Sequence, residues 1–224
     1  MTQAIPEPGS PCHQVDYFLE LLEKSGLNGP AHEAYHFHFY PQDEEKIKKT
    51  IKKNDLHSFI CFHLGANWEP KRWPVSYFAR LADLIFEKWS LPVVLTGSTG
   101  DMNLAKQMME KTQRARVISV AGQLNLRELG ALYKKALFVV SGDSGPMHIA
   151  AGVGTPVVGL FGPTDPKLTG PHGPGEKTIL HYVPAGYTVP WYGEIPKDGW
   201  LSHIQPEEVM AEISKKNWVS ICQV

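Results

Sequence analysis

Cysteine is scarce in this chain of 224 residues: Cys12, Cys61 and Cys222 are the whole complement. An odd number, widely spaced and without C-x-x-C, supports neither a disulfide framework nor a zinc ribbon. Charge of one sign is not in excess either, with 22 Lys and Arg against 23 Asp and Glu and a formal net charge of −1. No whole-chain field then attracts nucleic acid or an anionic membrane, and any anion must be held by a local site. Long hydrophobic runs are missing, and none approaches the roughly 20 residues of a membrane span. The opening MTQAIPEPGSPCHQ has no basic stretch followed by an apolar core, so it does not read as a signal peptide. A soluble protein of the reducing cytoplasm is the expectation these absences leave.

What is present is an apolar, turn-rich chain: 42% hydrophobic and 20% charged residues, with Gly 20 and Pro 18. That composition excludes global disorder. Val15, Phe18, Leu19 and Leu22 stand at helical spacing, and Gly26 follows as a stop signal. YHFHFY, residues 35–40, alternates His and Phe and predicts a short strand. His36 and His38 lie two apart on one face of it, a polar face rather than a metal pair. DEEKIKKTIKKN predicts a helix with Ile47 and Ile51 on its buried face, acids at its start and a solvated lysine face.

From residue 58 the pattern is a regular alternation. Apolar strand segments are predicted near 58–64, 92–97, 117–121, 137–141 and 156–161, each followed by a helical segment. TILHYV is a further strand candidate, and PEEVMAEISKKNW predicts a closing helix. Strands alternating with helices mean βαβ units, hence an α/β protein with a Rossmann-like parallel sheet and helices on both faces. PAGYTVPWYGEIPKDGWLSHI is too long for a plain connection and reads as a functional loop.

In such a sheet ligands bind outside the carboxyl ends of the strands. Those ends are unusually decorated here: GANWEPKRWP, STGD, DSGPMH and PTDPKLTGPHG. In SGDSGPMHIAAG a strand runs through a tight turn into a helix. The N–H groups of Ser144 and Gly145 would face outward at a helix N-terminus, where the macrodipole favours phosphate. Asp143 reads equally as an N-cap, and His148 as a core histidine. Lys71 is a compact cation just past a strand end, suited to a pyrophosphate. Asp101, after GSTG, is placed either to accept from a ribose diol or to favour a helix start.

Together, GANWEPKRWP, VVLTGSTGD and FVVSGDSGPMHIAAGVGTPVVGLFGPTDP resemble the glycosyltransferase family 9 heptosyltransferases of lipopolysaccharide core synthesis. The strongest part is D-[ST]-G-x-x-H followed by F-G-P-T-x-P. The resemblance is strong over about 58–170 and weaker over 12–217. It implies the GT-B architecture, two Rossmann-like domains with the active site between them, of which this chain resembles the C-terminal, donor-binding one. On that basis residues 1–54 are an interdomain segment and remnant of the acceptor domain. Residues 55–205 are the nucleotide-sugar donor-binding domain, and 206–224 the C-terminal helix. The family's phosphate-binding lysine falls on Lys71, and its ribose-binding acid on or beside Asp101. The motif aspartate is Asp143, near donor sugar hydroxyls. Ser144 and Gly145 offer N–H groups to the pyrophosphate, His148 supports the site, and the F-G-P-T loop supplies Gly162 and Thr164. Where members often carry hydroxyl residues before K-x-W-P, this chain has Gly65, Ala66 and Asn67.

The resemblance further implies inverting transfer of a heptose-like sugar from ADP-heptose to a lipopolysaccharide core or similar glycan. The general base belongs to the N-terminal domain and maps to no residue here. No cofactor or metal is expected, since no acidic cluster has hard-cation spacing. The expected partners are the nucleotide-sugar, a glycolipid or glycan acceptor and, as one option, a separately encoded N-terminal half. The expected location is the cytoplasm, with peripheral association at the inner membrane as an option. An interdomain face should leave several of Trp68, Phe161, Trp191 and Trp200 exposed. The competing readings are a nucleotide-sugar-binding module without turnover and a Rossmann-type dehydrogenase. The second is disfavoured because no G-x-G-x-x-G follows the first strand.

Overall fold

The computed structural model describes residues 12–27, 37–187 and 200–219. Their strands are β1 (Ile60–His63), β2 (Val93–Thr96), β3 (Val117–Ser119), β4 (Val139–Gly142), β5 (Val157–Phe161) and β6 (Lys177–His181). They form one sheet in the order β3-β2-β1-β4-β5-β6, and every neighbouring pair is parallel. The five expected strands are all present, and TILHYV supplies most of β6. The order reverses between β1 and β4, which opens a crevice beyond their carboxyl ends.

The helices are α1 (Gln14–Lys24), α2 (Pro41–Lys53), α3 (Val75–Trp89), α4 (Met102–Lys111), α5 (Leu126–Tyr133), α6 (Gly145–Gly152), the single turn α7 (Pro166–Thr169) and α8 (Pro206–Ser214). Alternate strand residues feed two cores. Ile60, Phe62, Val93, Leu95, Val140 and Leu160 pack with α3, α4 and α8, whose Phe78, Leu81, Ile85, Met108, Val209 and Ile213 are buried. Cys61, Val94, Val139, Val157 and Phe161 pack on the other face with Ile47, Leu132, Met147 and Ala150 of α2, α5 and α6. Burial on both faces is why these strands read as continuous apolar runs.

Local signals account for the helix ends. Asn125 caps α5 by accepting from the N–H groups of Arg127 and Glu128, and the Glu128 carboxylate in turn accepts from Asn125 N–H. Pro206 opens α8, where its missing N–H costs nothing. Asp83, buried in α3, accepts from the N–H groups of Gln113, Arg114 and Ala115 at 3.1, 2.8 and 2.8 Å. It satisfies the turn between α4 and β3. On α2, Ile47 is buried while Lys48, Lys49, Lys52 and Lys53 are exposed, as expected for a solvated lysine face.

Two expectations are corrected. Residues 37–40 are extended but belong to no strand; residues 35 and 36, with His36, lie outside the described residues. His38 is exposed, and the Phe37 ring lies against Gly130 of α5, where an added Cβ would stand 2.7 Å away. The segment lies over a helix rather than along a sheet edge, so its backbone has no ladder to join. Of the aromatics expected at an open face, Trp68, Phe161 and Trp200 are among the described residues, and of these only Trp68 is exposed, at 40%. Phe161 is wholly buried in the α6-side core, and Trp200 is buried with its Cβ against Gly162. Trp191 lies outside the described residues. On α1, Phe18 and Leu22 are exposed and no residue is buried.

Candidate functional site

The crevice at the sheet's reversal is built from the ends of β1, β4 and β5. The chain leaves β1 and makes a short 3-10 turn, Glu69–Lys71, before α3. That turn comes so close to β4 that a Cβ on Gly142 would lie 2.5 Å from the Lys71 carbonyl oxygen. Only glycine permits this approach. It places Lys71 Nζ 2.6 Å from Asp143 Oδ2, with side chains 22% and 7% exposed. Lys71 Nζ also stands 5.9 Å from the centre of the exposed Trp68 ring. The loop after β5 adds two hydroxyls to the same carboxylate oxygen. Thr164 Oγ1 donates to Asp143 Oδ2 at 2.8 Å, and Thr169 Oγ1 lies 3.5 Å from the same oxygen, its one O–H shared with the Asp165 carbonyl at 3.4 Å. All three donors meet Oδ2, and Asp143 Oδ1 takes none of them.

Asp143 is therefore no helix cap. The N-cap of α6 is Ser144, which makes no side-chain bond to the helix; its hydroxyl lies 3.1 Å from that of Ser141. The first turn of α6 thus keeps its N–H groups uncapped by any side chain, beside a lysine and at the sheet's crevice. Gly145 opens onto empty space, with nothing within 4 Å of an added Cβ. His148 is one turn into α6 and half-buried. Burial lowers its pKa most; Asp143 opposes this, and His13 and Lys71 add to it. Those three groups therefore lie within its electrostatic reach.

Asp101 sits apart from this cluster, over the ends of β1 and β2. Its Oδ2 accepts from Ser98 N–H at 2.8 Å and from Ser98 Oγ at 2.7 Å, a local capping box. Its carboxyl group fills the space where a Cβ on Gly65 would be, at 2.5 Å. This explains why residue 65 carries no hydroxyl side chain: Asp101 occupies that volume. Gly162 ends β5, and its carbonyl lies 3.1 Å from His181 Nε2 on β6. Lys71, Asp143, Ser144, Gly145, His148 and Thr164 are thus brought together, while Asp101 and Gly162 frame them from either side.

Three residues escaped the sequence reading: Thr169, His181 and His13, whose Nε2 lies 3.1 Å from the Gly170 carbonyl. Each acts through a contact that only the crossovers create. Beneath the site, His63 Nδ1 is 3.2 Å from Thr96 Oγ1, which also meets the Tyr133 hydroxyl at 2.8 Å. Burial pushes His63 down to about 4, against a smaller opposite pull from Asp101. Among the described residues no three His, Cys, Asp or Glu side chains are grouped to hold a metal ion.

A parallel sheet with helices on both faces and a crevice where its strand order reverses defines a class, the open doubly wound α/β domains. The chain belongs, within that class, to glycosyltransferase family 9 (heptosyltransferase), whose sequence model matches residues 2–186. The lipooligosaccharide heptosyltransferase 2 of Haemophilus ducreyi is 33% identical over 184 residues, 78% of this chain and 52% of that protein. The lipopolysaccharide heptosyltransferase 2 of Escherichia coli is 30% identical over 215 residues, 89% of this chain and 60% of that one. Among solved structures, the family 9 glycosyl transferase of Veillonella parvula superposes with a TM-score of 0.81 at 22% identity, covering 99% of this chain and 64% of its own. The E. coli ADP-heptose LPS heptosyltransferase II gives 0.72 at 21%, covering 96% and 63%. The fold is that of a GT-B glycosyltransferase domain, and the chain spans between half and two thirds of the length of these relatives. No helix among the described residues is long and apolar enough to cross a membrane.

Proposed function

We propose that this chain is the donor-binding half of a family 9 glycosyltransferase, holding ADP-heptose for transfer to a lipopolysaccharide core or similar glycan. The observation that carries this reading is the Asp143 carboxylate. Oδ2 is saturated by Lys71 and Thr164, while Oδ1 is left to accept from a sugar hydroxyl beside the uncapped start of α6. The donor's pyrophosphate would lie between Lys71 and the N–H groups of Ser144 and Gly145, and Asp101 would meet the ribose. In the transfer an acceptor hydroxyl, deprotonated by a carboxylate base of the N-terminal domain, attacks the anomeric carbon as the bond to ADP breaks. Negative charge then builds on the pyrophosphate, and Lys71 with the α6 terminus stabilises it, so that no metal is required. The enzyme works in the cytoplasm, at the inner membrane where a glycolipid acceptor is presented.

Calorimetric titration with ADP, UDP, GDP and ADP-heptose tests the reading. ADP should bind more tightly than UDP or GDP, and Asp143→Ala should weaken ADP-heptose more than ADP. Equal weakening of the two would remove Asp143 from the sugar site. A second reading, binding without turnover by these 224 residues, follows from the fraction of the relatives' length that they span. Sugar transfer by the chain alone would overturn it.

A further inference from the structure

We infer that His13 is a positioning residue for the donor site, holding the loop that presents Thr164 and Thr169 to Asp143. The inference rests on the donor-binding reading above, but its geometry stands separately. His13 is the N-cap of α1, and its Nδ1 accepts from Val15 N–H at 3.2 Å. A nitrogen that accepts carries no proton, so the neutral ring has its hydrogen on Nε2. That nitrogen lies 3.1 Å from the Gly170 carbonyl, 157 residues away, and donates to it. One tautomer of one imidazole thus serves two elements.

The element it reaches cannot hold its own position. α7 is one turn of four residues, and so short a helix does not persist without outside contacts. Within it the bonds are local: Leu168 and Thr169 N–H to Asp165 O at 3.0 and 3.1 Å, and Gly170 N–H to Pro166 O at 2.9 Å. At its start, Thr164 is anchored on Asp143 at 2.8 Å. At its end, His13 holds the Gly170 carbonyl, and the His13 ring lies 5.3 Å from that of His172. Gly170 has no room for a side chain, since a Cβ would collide with the Pro166 carbonyl. The two anchors stretch the turn across the site and keep both hydroxyls on Oδ2. If the His13 anchor goes, the Thr169 contact, already 3.5 Å, is the first to be lost. His13 touches no reacting atom; it acts through the loop.

Two substitutions separate the cap from the anchor. Asn in place of His13 sets an amide oxygen where Nδ1 accepts, but falls short of Gly170. Gln reaches the Nε2 position with an amide N–H, but leaves Val15 uncapped. The readouts are hydrogen exchange of the 164–172 segment in the unliganded chain and calorimetric affinities for ADP and ADP-heptose. His13→Asn should speed exchange there, and weaken ADP-heptose, by about three- to tenfold, the worth of one net hydrogen bond, while ADP changes less than about twofold. His13→Gln should stay near wild type in both. The reverse pattern, with Asn neutral and Gln impaired, would make His13 a helix cap and overturn the proposal. Equal impairment of both variants would overturn it too, by assigning the effect to ring packing. So would equal loss of ADP and ADP-heptose in His13→Asn. If the wild-type chain binds neither ligand, the donor reading falls, and the exchange comparison alone decides whether His13 anchors the loop.

Discussion

Two glycines three residues apart should respond to alanine in opposite ways. At Gly142 a Cβ would lie 2.5 Å from the Lys71 carbonyl oxygen. Ordinary contact begins near 3.4 Å, so about 0.9 Å of separation must be found in a closely packed region. β4 cannot supply it, because β1 and β5 flank it on both sides. The Glu69–Lys71 turn must move, and overpacking of this kind costs about 1–3 kcal/mol. For a chain of this size that is a fall of roughly 2–12 °C in melting temperature. At Gly145 an added methyl meets nothing within 4 Å. Alanine is also the better helix former there by roughly 0.5–1 kcal/mol, so Gly145→Ala should melt at or slightly above wild type. Differential scanning calorimetry checks the pair. ADP titration adds a second reading, since the displaced turn carries Lys71 and Gly142→Ala should weaken ADP as well. Equal melting of Gly142→Ala and wild type, or equal losses in both variants, would refute the close-approach argument.

Lys71→Ala should weaken ADP by about 1–3 kcal/mol through loss of a charge-assisted contact, and leave adenosine, which has no pyrophosphate, unchanged in the same titration. It also strips Asp143 of its cation, so part of any stability loss should be recovered in Lys71→Ala/Asp143→Asn; equal losses for ADP and adenosine would make Lys71 a folding residue instead. Asp83→Ala leaves three backbone N–H groups in a half-buried turn without their acceptor and should cost about 2–5 kcal/mol in urea unfolding; a loss under about 1 kcal/mol would refute that role. His63 gives a pH dependence, because burial holds it at about 4 in the fold against 6.5 for the free side chain. Between those values the unfolded chain takes up a proton that the folded chain refuses. Stability is therefore full above pH 6.5 and falls as pH descends toward 4, by up to about 3 kcal/mol from this group. His63→Asn should flatten that slope in denaturation curves from pH 4 to 7, leaving the smaller part due to His148, also lowered chiefly by burial. An unchanged slope would exclude His63 as its source.

Local chemistry by itself determined the alternation of strands and helices, because runs buried on both faces and amphipathic 3.6-residue periods leave different marks in a sequence. It also determined where chemistry could sit, since glycines, hydroxyls and charges gathered at strand ends that a plain turn does not need. Lys71, Asp143, Ser144 and Gly145 were legible for that reason. What each one does was decided by tertiary structure. Asp143 reads equally as a cap until β1 and β4 lie side by side and bring it a lysine from 72 residues away. His13 and Gly170 carry no shared signal, because a hydrogen bond across 157 residues depends on how the whole chain winds. Over residues 37–40 the alternation was real, with Phe37 and Phe39 more covered than His38 and Tyr40, but period two marks any extended chain with one covered face. Whether it pairs depends on a sheet edge being within reach, and here a helix lay beneath it. Phe161 and Trp200 were misjudged for the same reason: hydrophobicity records that a side chain prefers cover, and only the packed layers decide which ones obtain it.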